Sequence, residues 1–383
     1  MRPKDAEQLW AEAEAQIQRH SDSAQAMRRI RLIRRRETLR IAMGEASQVL
    51  ELDQIMRGLS NIDQVVVNAA LTIAQRDMFN EGGIEQLTDV AVIAMGRQGG
   101  QEIVYGSDAD VMYVHVPREG ADDREAQKQA IDLITVMTQL LKHATKPALR
   151  AERVLEIDAD LRPEGRSGPM VRSLESYREY YERWADTWEF QALLRARPFA
   201  GSTDVQDAFI KLINNFRYPK DFALSQVIEI RRMKARVENE RLPRGADRTR
   251  QLKLGRGGLS DVEWIVQLIQ LCDAYKEPTL QTTSTLGALH AAHEAEIVSA
   301  EDAAALQSAW KLATKIRAGN ILRTGRASDT LSSAGADLEA IARWCGYGPG
   351  KARDLEEDYL RITRRARTVY ERLFFDTDLL SEE

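Results

Sequence analysis

The sequence predicts an α+β fold: a short segment of strands set between a helical N-terminus and a longer, all-helical C-terminal part. Three observations predict it. Apolar residues recur at helical spacing through the first 85 residues, two short apolar and β-branched runs at 89–94 and 109–116 flank a glycine-bearing loop, and no convincing strand pattern follows residue 175. With 383 residues the chain has room for two or three domains and for a sizeable core.

The elements follow in order. In 1–85, Ile30, Ile33, Ile41, Val49, Leu50, Leu52, Ile55 and Met56 repeat with helical period, and no glycine precedes Gly44. The run 89–94 reads as a strand, the glycine loop follows, and 109–116 reads as a second strand. Helical periodicity returns over 123–146 through Ile131, Ile134, Val136, Met137, Leu140 and Leu141. A third strand-like piece, 150–161, runs into the turn signal Arg162-Pro163-Glu164-Gly165. From 176 to 196 an aromatic stripe of Tyr177, Tyr180, Tyr181, Trp184 and Trp188 has the spacing of a helix's buried face, which is favoured over a base-stacking surface. Further helices are expected over 203–215, 222–241, 258–275, 284–298, 300–324, 335–346 and 353–378, with 242–250 as a hinge or exposed loop. The expected division is a helical segment 1–85 packing on a catalytic core 86–175, followed by a helical domain 176–383.

The chemistry concentrates in MGRQGGQEIVYGSDADVMYVHV, residues 95–116. Asp108 and Asp110, two apart at the start of a strand, point to one face, because strand side chains alternate. The pair Gly99-Gly100 lets backbone N–H groups approach an anion. Two such carboxylates can bridge two Mg²⁺ ions, which take oxygen ligands and keep places for phosphates. A third carboxylate from a neighbouring strand is expected, and Asp158, between Ile157 and Ala159, ranks above Asp160 for that part. The plainer reading makes Asp108 a turn residue, Asp110 a solvated strand end and the glycines hairpin punctuation. Against it, two adjacent carboxylates are costly to bury without a cation, and exposed ones need no glycine frame.

A glycine pair, then Ser-Asp-x-Asp starting seven positions on, then a later strand Asp, resembles the signature of the polymerase-β-type nucleotidyltransferases. With VAVIAMGRQGGQEIVYGSDADVMYVH, EIDADLRPEGRSGPMVRSLESYREYYERWADTWEFQALLRARPFAG and LKLGRGGLSDVEWIVQLIQL, the chain resembles the glutamine-synthetase adenylyltransferase family from the Arg-rich helix to RRARTVYERLFF. That family usually carries two such modules, one removing AMP and one attaching it. The single copy here is similar to the C-terminal, attaching half in its actinobacterial form. The resemblance implies a polymerase-β-like catalytic domain, with Asp108, Asp110 and Asp158 as metal-binding catalytic residues and Gly99, Gly100 and Ser107 as the triphosphate loop. It implies two Mg²⁺ ions, ATP as substrate, a tyrosine of glutamine synthetase as acceptor, and control by glutamine or a PII-type protein. Ile103-Val104 stands where the family often has Leu-Gly, and Asp160 where relatives often carry Arg.

Other residues invite functional readings. In LKLGRGGLSDVEW, Gly255, Gly257 and Gly258 offer an anion nest before a helix, with Lys253 as the candidate phosphate contact; the plainer alternative is a loop ending in a helix N-terminus. Arg28 to Arg40 holds seven arginines, but Ile30, Leu32, Ile33, Leu39 and Ile41 give the segment an apolar face, so packing is favoured over a nucleic-acid or membrane patch. His290 and His293 have metal-like spacing without a third ligand nearby, and Arg195 and Arg197 read as ordinary helix-end charges. A net charge of −5 argues against a general nucleic-acid binder. Two distant cysteines, Cys272 and Cys345, argue for a reducing compartment without structural zinc. No apolar run is long enough for a membrane span and the N-terminus has no apolar signal core, so a cytoplasmic protein is expected. The rival expectations are a nucleotidyltransferase acting on RNA or a small molecule, and a non-catalytic nucleotide-binding module.

Overall fold

The computed structural model describes residues 2–143, 155–242 and 244–375. The chain divides into two compact units, one of Met1–Ala185 with Arg195–Asn214 and one of Asp186–Leu194 with Asn215–Glu383.

In the first unit, helices α1 (Ala6–Arg19), α2 (Ser23–Ala46) and α3 (Leu52–Gln75) precede the sheet. Asp5 and Asp22 cap the first two, accepting from the Gln8 and Gln25 amides at 2.8 and 2.7 Å. Consecutive apolar residues such as Val65, Val66, Val67, Ala69 and Ala70 leave α3 buried nearly all round. Several arginines of α2 tie it to neighbouring elements, while Arg29 and Arg35 lie exposed and Leu39, expected on the apolar face, is 60% exposed. Arg31 is buried and its Nη2 donates to the carbonyls of Leu140, Leu141 and His143 at 2.9, 2.9 and 2.6 Å. Those carbonyls end helix α5 (Asp123–Lys142), where a cation meets the unsatisfied oxygens. Arg34 pairs with Asp63 at 2.8 Å, Arg36 with Glu12 at 2.7 Å, and Arg40 with Glu37 at 3.0 Å.

The sheet is small and mixed. Strand β1 (Thr88–Ala94) runs antiparallel to β2 (Ala109–Pro117), in register from Thr88 opposite Pro117 to Ala94 opposite Val111. The edge of β2 away from β1 takes two short parallel strands, β3 (Ile157–Asp158) and β4 (Val171–Ser173). On its other side β1 pairs antiparallel with β5 (Arg197–Gly201), giving the order β3-β2-β1-β5. A single helical turn, α4 (Gly96–Gly99), opens the loop between β1 and β2. The sequence VAVIA is apolar on both faces, so β1 sits at the centre of the unit.

Two readings from sequence are corrected. The aromatic stripe is two helices, α6 (Leu174–Arg183) and α7 (Thr187–Leu193). Tyr177 and Tyr181 are buried, but Trp184 lies at the break and is 74% exposed. A capping box of Asp186 and Glu189 restarts the helix, a D-x-x-E signal present in the sequence. The second correction is β5, which lies where no strand was expected. Pro198 cannot continue a helix, and the register shift at Val92/Ile93 accommodates this proline-bearing edge strand. The third expected strand is reduced to Ile157–Asp158; its residues 150–154, and 144–146 of the preceding helix, lie outside the described residues.

The second unit is helical. It holds α7 and helices α9 (Leu224–Glu240), α10 (Leu259–Asp273), α11 (Thr285–Glu294), α12 (Ala300–Thr324), α13 (Gly335–Trp344) and α14 (Ala352–Phe375), while α8 (Thr203–Arg217) carries the chain into it. These match the expected helices within a few residues, except that 376–378 of the last lie outside the described residues. Trp310, Tyr359, Tyr370 and Phe374 fill its interior. A charged network crosses that interior. Lys234 Nζ lies 2.7 Å from Asp261, whose other oxygen accepts from Arg367 at 3.0 Å, and both Lys234 and Asp261 are buried. Among the described residues, no helix is long and apolar enough to cross a membrane.

Candidate active site

Strand pairing brings the three aspartates together. Asp110 lies opposite Asp158 in the parallel β2–β3 register, and the Ala109 amide donates to the Glu156 carbonyl at 2.9 Å. Asp108 stands two residues before Asp110 on the same face, at the exposed lip of β2. One carboxylate oxygen from each of Asp108, Asp110 and Asp158 lies within 4.8 Å of the other two. Asp108 is exposed and its two partners half-buried, so solvent and a ligand can reach the group.

The loop after Asp158 is fastened from within. Asp158 Oδ1 accepts from the Asp160 amide at 2.7 Å. Buried Arg162 donates to the carbonyls of Ala159 at 2.7 Å and Gly168 at 3.3 Å. Asp160 is engaged by Arg166 at 2.7 Å, which leaves Asp158 as the carboxylate facing Asp110. Beside Asp108 and Asp158 opens a cleft of about 420 Å³, also lined by Lys142, Arg162, Arg166 and Met170.

On the other flank of β2 stands the α4 turn. Gly96 has φ +51°, and a Cβ there would overlap the Asp110 carboxylate. Sequence reading passed over this glycine, although Met95-Gly96 at the end of an apolar strand is a visible turn signal. The Gly99 and Gly100 amides donate to the carbonyls of Met95 and Gly96 at 2.7 and 3.2 Å, so they close the turn. A Cβ on Gly99 would collide with the Arg195 carbonyl, which explains the residue by close backbone packing. Ser107 closes the loop into β2: its Oγ accepts from the Val104 amide and its amide donates to the Val104 carbonyl, both at 3.2 Å. Ile103 and Val104 are buried, and the Tyr105 hydroxyl donates to Glu45 of α2 at 2.6 Å. The apolar pair anchors that loop.

Lys253 belongs to the second unit and is exposed. The glycines near it form no open nest: the Gly255, Arg256, Gly257 and Gly258 amides donate to Gln251, Arg248, Asp261 and Gly255 respectively. His290 lies 72% exposed beside Glu294, and His293 Nδ1 meets the Val298 carbonyl at 3.2 Å.

Fold and site together define an α+β protein with three convergent carboxylates at a strand lip, a candidate centre for divalent-cation-assisted phosphoryl chemistry. The family model described as glutamate-ammonia ligase adenylyltransferase matches residues 1–212, and one described as GlnD PII-uridylyltransferase matches 231–374. The chain belongs to the glutamate-ammonia ligase adenylyltransferase family. It is 46% identical over 98% of its length to the bifunctional glutamine synthetase adenylyltransferase/adenylyl-removing enzyme of Streptomyces avermitilis. It is 44% identical to that of Streptomyces coelicolor, again over 98% of the chain, and 43% identical over 93% to that of Mycobacterium marinum. The chain spans 38%, 38% and 35% of the lengths of these three relatives.

Proposed function

We propose that this chain is an adenylyltransferase that moves AMP from ATP to a tyrosine hydroxyl of glutamine synthetase, releasing pyrophosphate. The observation that carries the reading is the convergence of Asp108, Asp110 and Asp158 beside a glycine turn, in a chain of this family. The donor set suits Mg²⁺: three carboxylates, no sulfur or nitrogen ligand among the described residues, and an exposed side left for phosphate and water. When bound at Asp108, Asp110 and Asp158, two such ions would supply neutralisation of the triphosphate charge and activation of the attacking oxygen.

The protein's own part is positioning. The turn shaped by Gly96, Gly99 and Gly100 and closed by Ser107 would seat the triphosphate on one flank of Asp110 by its shape, since the Gly99 and Gly100 amides already donate within the turn. The acceptor hydroxyl attacks the α-phosphorus in line, the new P–O bond forming as the bond to the β-phosphate oxygen breaks. Pyrophosphate takes the leaving electron pair, and the tyrosine proton passes to Asp158 and then to water. Catalysis of this kind rests on orientation and charge stabilisation. Lys253 is a candidate phosphate contact on its residue chemistry alone. The polymerase-β-like character of the mixed sheet, the cytoplasmic setting, and regulation by glutamine or a PII-type protein belong to the same proposal. The match of 231–374 to a PII-uridylyltransferase model supports the last.

The relatives' shared description names removal of AMP as well as its attachment. Incubation with α-labelled ATP, Mg²⁺ and purified glutamine synthetase tests the assignment. Covalent label on the synthetase is the expected result. Release of label from pre-adenylylated synthetase, without attachment, would make this the removing module. Label in RNA or a small molecule would replace the acceptor, and nucleotide binding without transfer would make the chain a non-catalytic module.

A further inference from the structure

The segment Leu194-Arg195-Ala196-Arg197 reads in sequence as the charged end of a helix, yet in the structure both arginines turn onto the glycine loop. Arg195 and Glu102 form an ion pair at 2.9 Å, and both residues are buried. Arg197 Nε donates to the Gly99 carbonyl at 3.1 Å and its Nη2 to the Gln98 carbonyl at 3.3 Å. Its Nη1 reaches Gln64 of α3 at 3.1 Å and the Pro198 carbonyl at 3.2 Å. The same turn is held from α3 at two more points: Gln98 Nε2 donates to the Ser60 carbonyl at 3.1 Å, and Gln101 Nε2 to Asn61 at 3.2 Å. The Arg195 carbonyl rests on Gly99, so closely that no side chain fits there.

We propose that Arg197, with the Arg195–Glu102 pair, is a positioning device that sets the distance between the α4 turn and Asp110, and so the seat of the nucleotide triphosphate. It rests on the nucleotidyl-transfer reading given above. The path is short and stiff. Arg197 fixes the carbonyls at the C-terminal end of a four-residue turn. That turn is closed by the Gly99-to-Met95 and Gly100-to-Gly96 hydrogen bonds, and its first residue, Gly96, abuts the Asp110 carboxylate. The Met95 amide also donates to the Asp110 carbonyl at 2.8 Å, tying the start of the turn to the strand that carries the carboxylates. A planar guanidinium, with several donors in a fixed fork, can hold adjacent carbonyls at once; an ammonium is a single point charge. Burial pushes the Arg197 guanidinium down to about 10, still charged at neutral pH, so the clamp persists under working conditions. None of the three side chains needs to touch substrate.

The test uses the full chain with Arg197→Gln and Arg197→Lys, read by amide hydrogen exchange and by steady-state kinetics. In Arg197→Gln the Gly99 and Gly100 amides exchange faster and KM for ATP rises about tenfold, the loss expected when the triphosphate seat forfeits about one good hydrogen bond, while KM for the protein acceptor stays put. Arg197→Lys falls between this variant and the parent, and it supplies both readouts if Arg197→Gln fails to fold. Unchanged exchange at Gly99 and Gly100 overturns the clamp. Faster exchange with an unaltered KM for ATP overturns its positioning role and leaves a merely structural one. If the parent chain transfers no AMP, the function reading fails separately, and exchange with calorimetric ATP–Mg²⁺ binding still decides the clamp.

Discussion

At Gly96 a single missing side chain sets the spacing between backbone turn and carboxylate. Its φ of +51° and its contact with Asp110 leave no space for a methyl group. Gly96→Ala should therefore lower AMP transfer by about 10²-fold, since misplacement near one ångström costs that much. Circular dichroism and the melting transition should show a folded protein; wild-type turnover would remove Gly96 from the site. His115 argues a second case at the same scale. It is buried, with Nδ1 2.9 Å from Thr88 Oγ1 and Nε2 2.8 Å from Gln127 Oε1. Burial holds its pKa below the ordinary value, against smaller upward effects from Gln127 and Asp123. Below a pH of about 6.5 the unfolded chain takes up a proton that the folded one resists. Stability should thus fall as pH drops through that value and level off below the folded pKa. Urea denaturation of His115→Gln against the parent at pH 7.5 and 5.5 checks this; equal pH slopes would contradict it. At this scale strand alternation made Asp108 and Asp110 legible as a same-face pair, and a strand-like setting with the family resemblance pointed to Asp158, which the structure brings beside them. Gly96 was passed over although its turn signal is visible, whereas Arg195 and Arg197 stayed hidden because their meaning depends on contacts about a hundred residues away, as between Arg197 and Gly99.

Among the elements, the helices from α8 onward and the strands β1 and β2 were legible nearly to their ends, and β3, β4 and β5 much less so. Long amphipathic periodicity reports a helix wherever it packs, whereas β3 and β4 have two and three residues and exist only because β2 offers an edge. Strand β5 was unreadable for a related reason: Arg197-Pro198-Phe199 carries little strand pattern, and its pairing with β1 is decided by tertiary contact. The glycine loop before α10 shows how a motif can mislead. Its amides are consumed internally, and Asp261, at the first turn of α10, accepts from the Gly257 amide at 2.7 Å while meeting Lys234 and Arg367. Asp261→Ala would leave the buried Lys234 ammonium with Glu238 at 2.7 Å and the face of the Tyr370 ring. Breaking a buried pair from one side costs about 3–5 kcal/mol, so guanidinium unfolding of this variant should show a loss of that order. A loss below about 1 kcal/mol would mean solvent compensates the charge.

On the scale of the whole molecule, two family models fall on successive parts of the chain, 1–212 and 231–374, and the last crossing between the compact units falls between Asn214 and Asn215. The first part carries the carboxylates and the glycine turn; the second carries Lys253 and the charged network around Asp261. Chemistry and helical packing are thus assigned to different stretches of sequence, which is why composition alone, acidic and ordinary, disclosed neither. The proposed acceptor rests on family resemblance alone, since residue spacing bears on the reaction and not on the protein that receives AMP. Asp108, Asp110 and Asp158 are proposed to form one centre for AMP transfer. The direct measurement is covalent labelling of glutamine synthetase from α-labelled ATP by the Asp108→Asn/Asp110→Asn variant, with Asp158→Asn alongside. Both should lose at least about 10³-fold, on the scale set by removing groups that stabilise transition-state charge, with melting transitions retained. Labelling at the parent rate by the folded double variant would contradict the proposal.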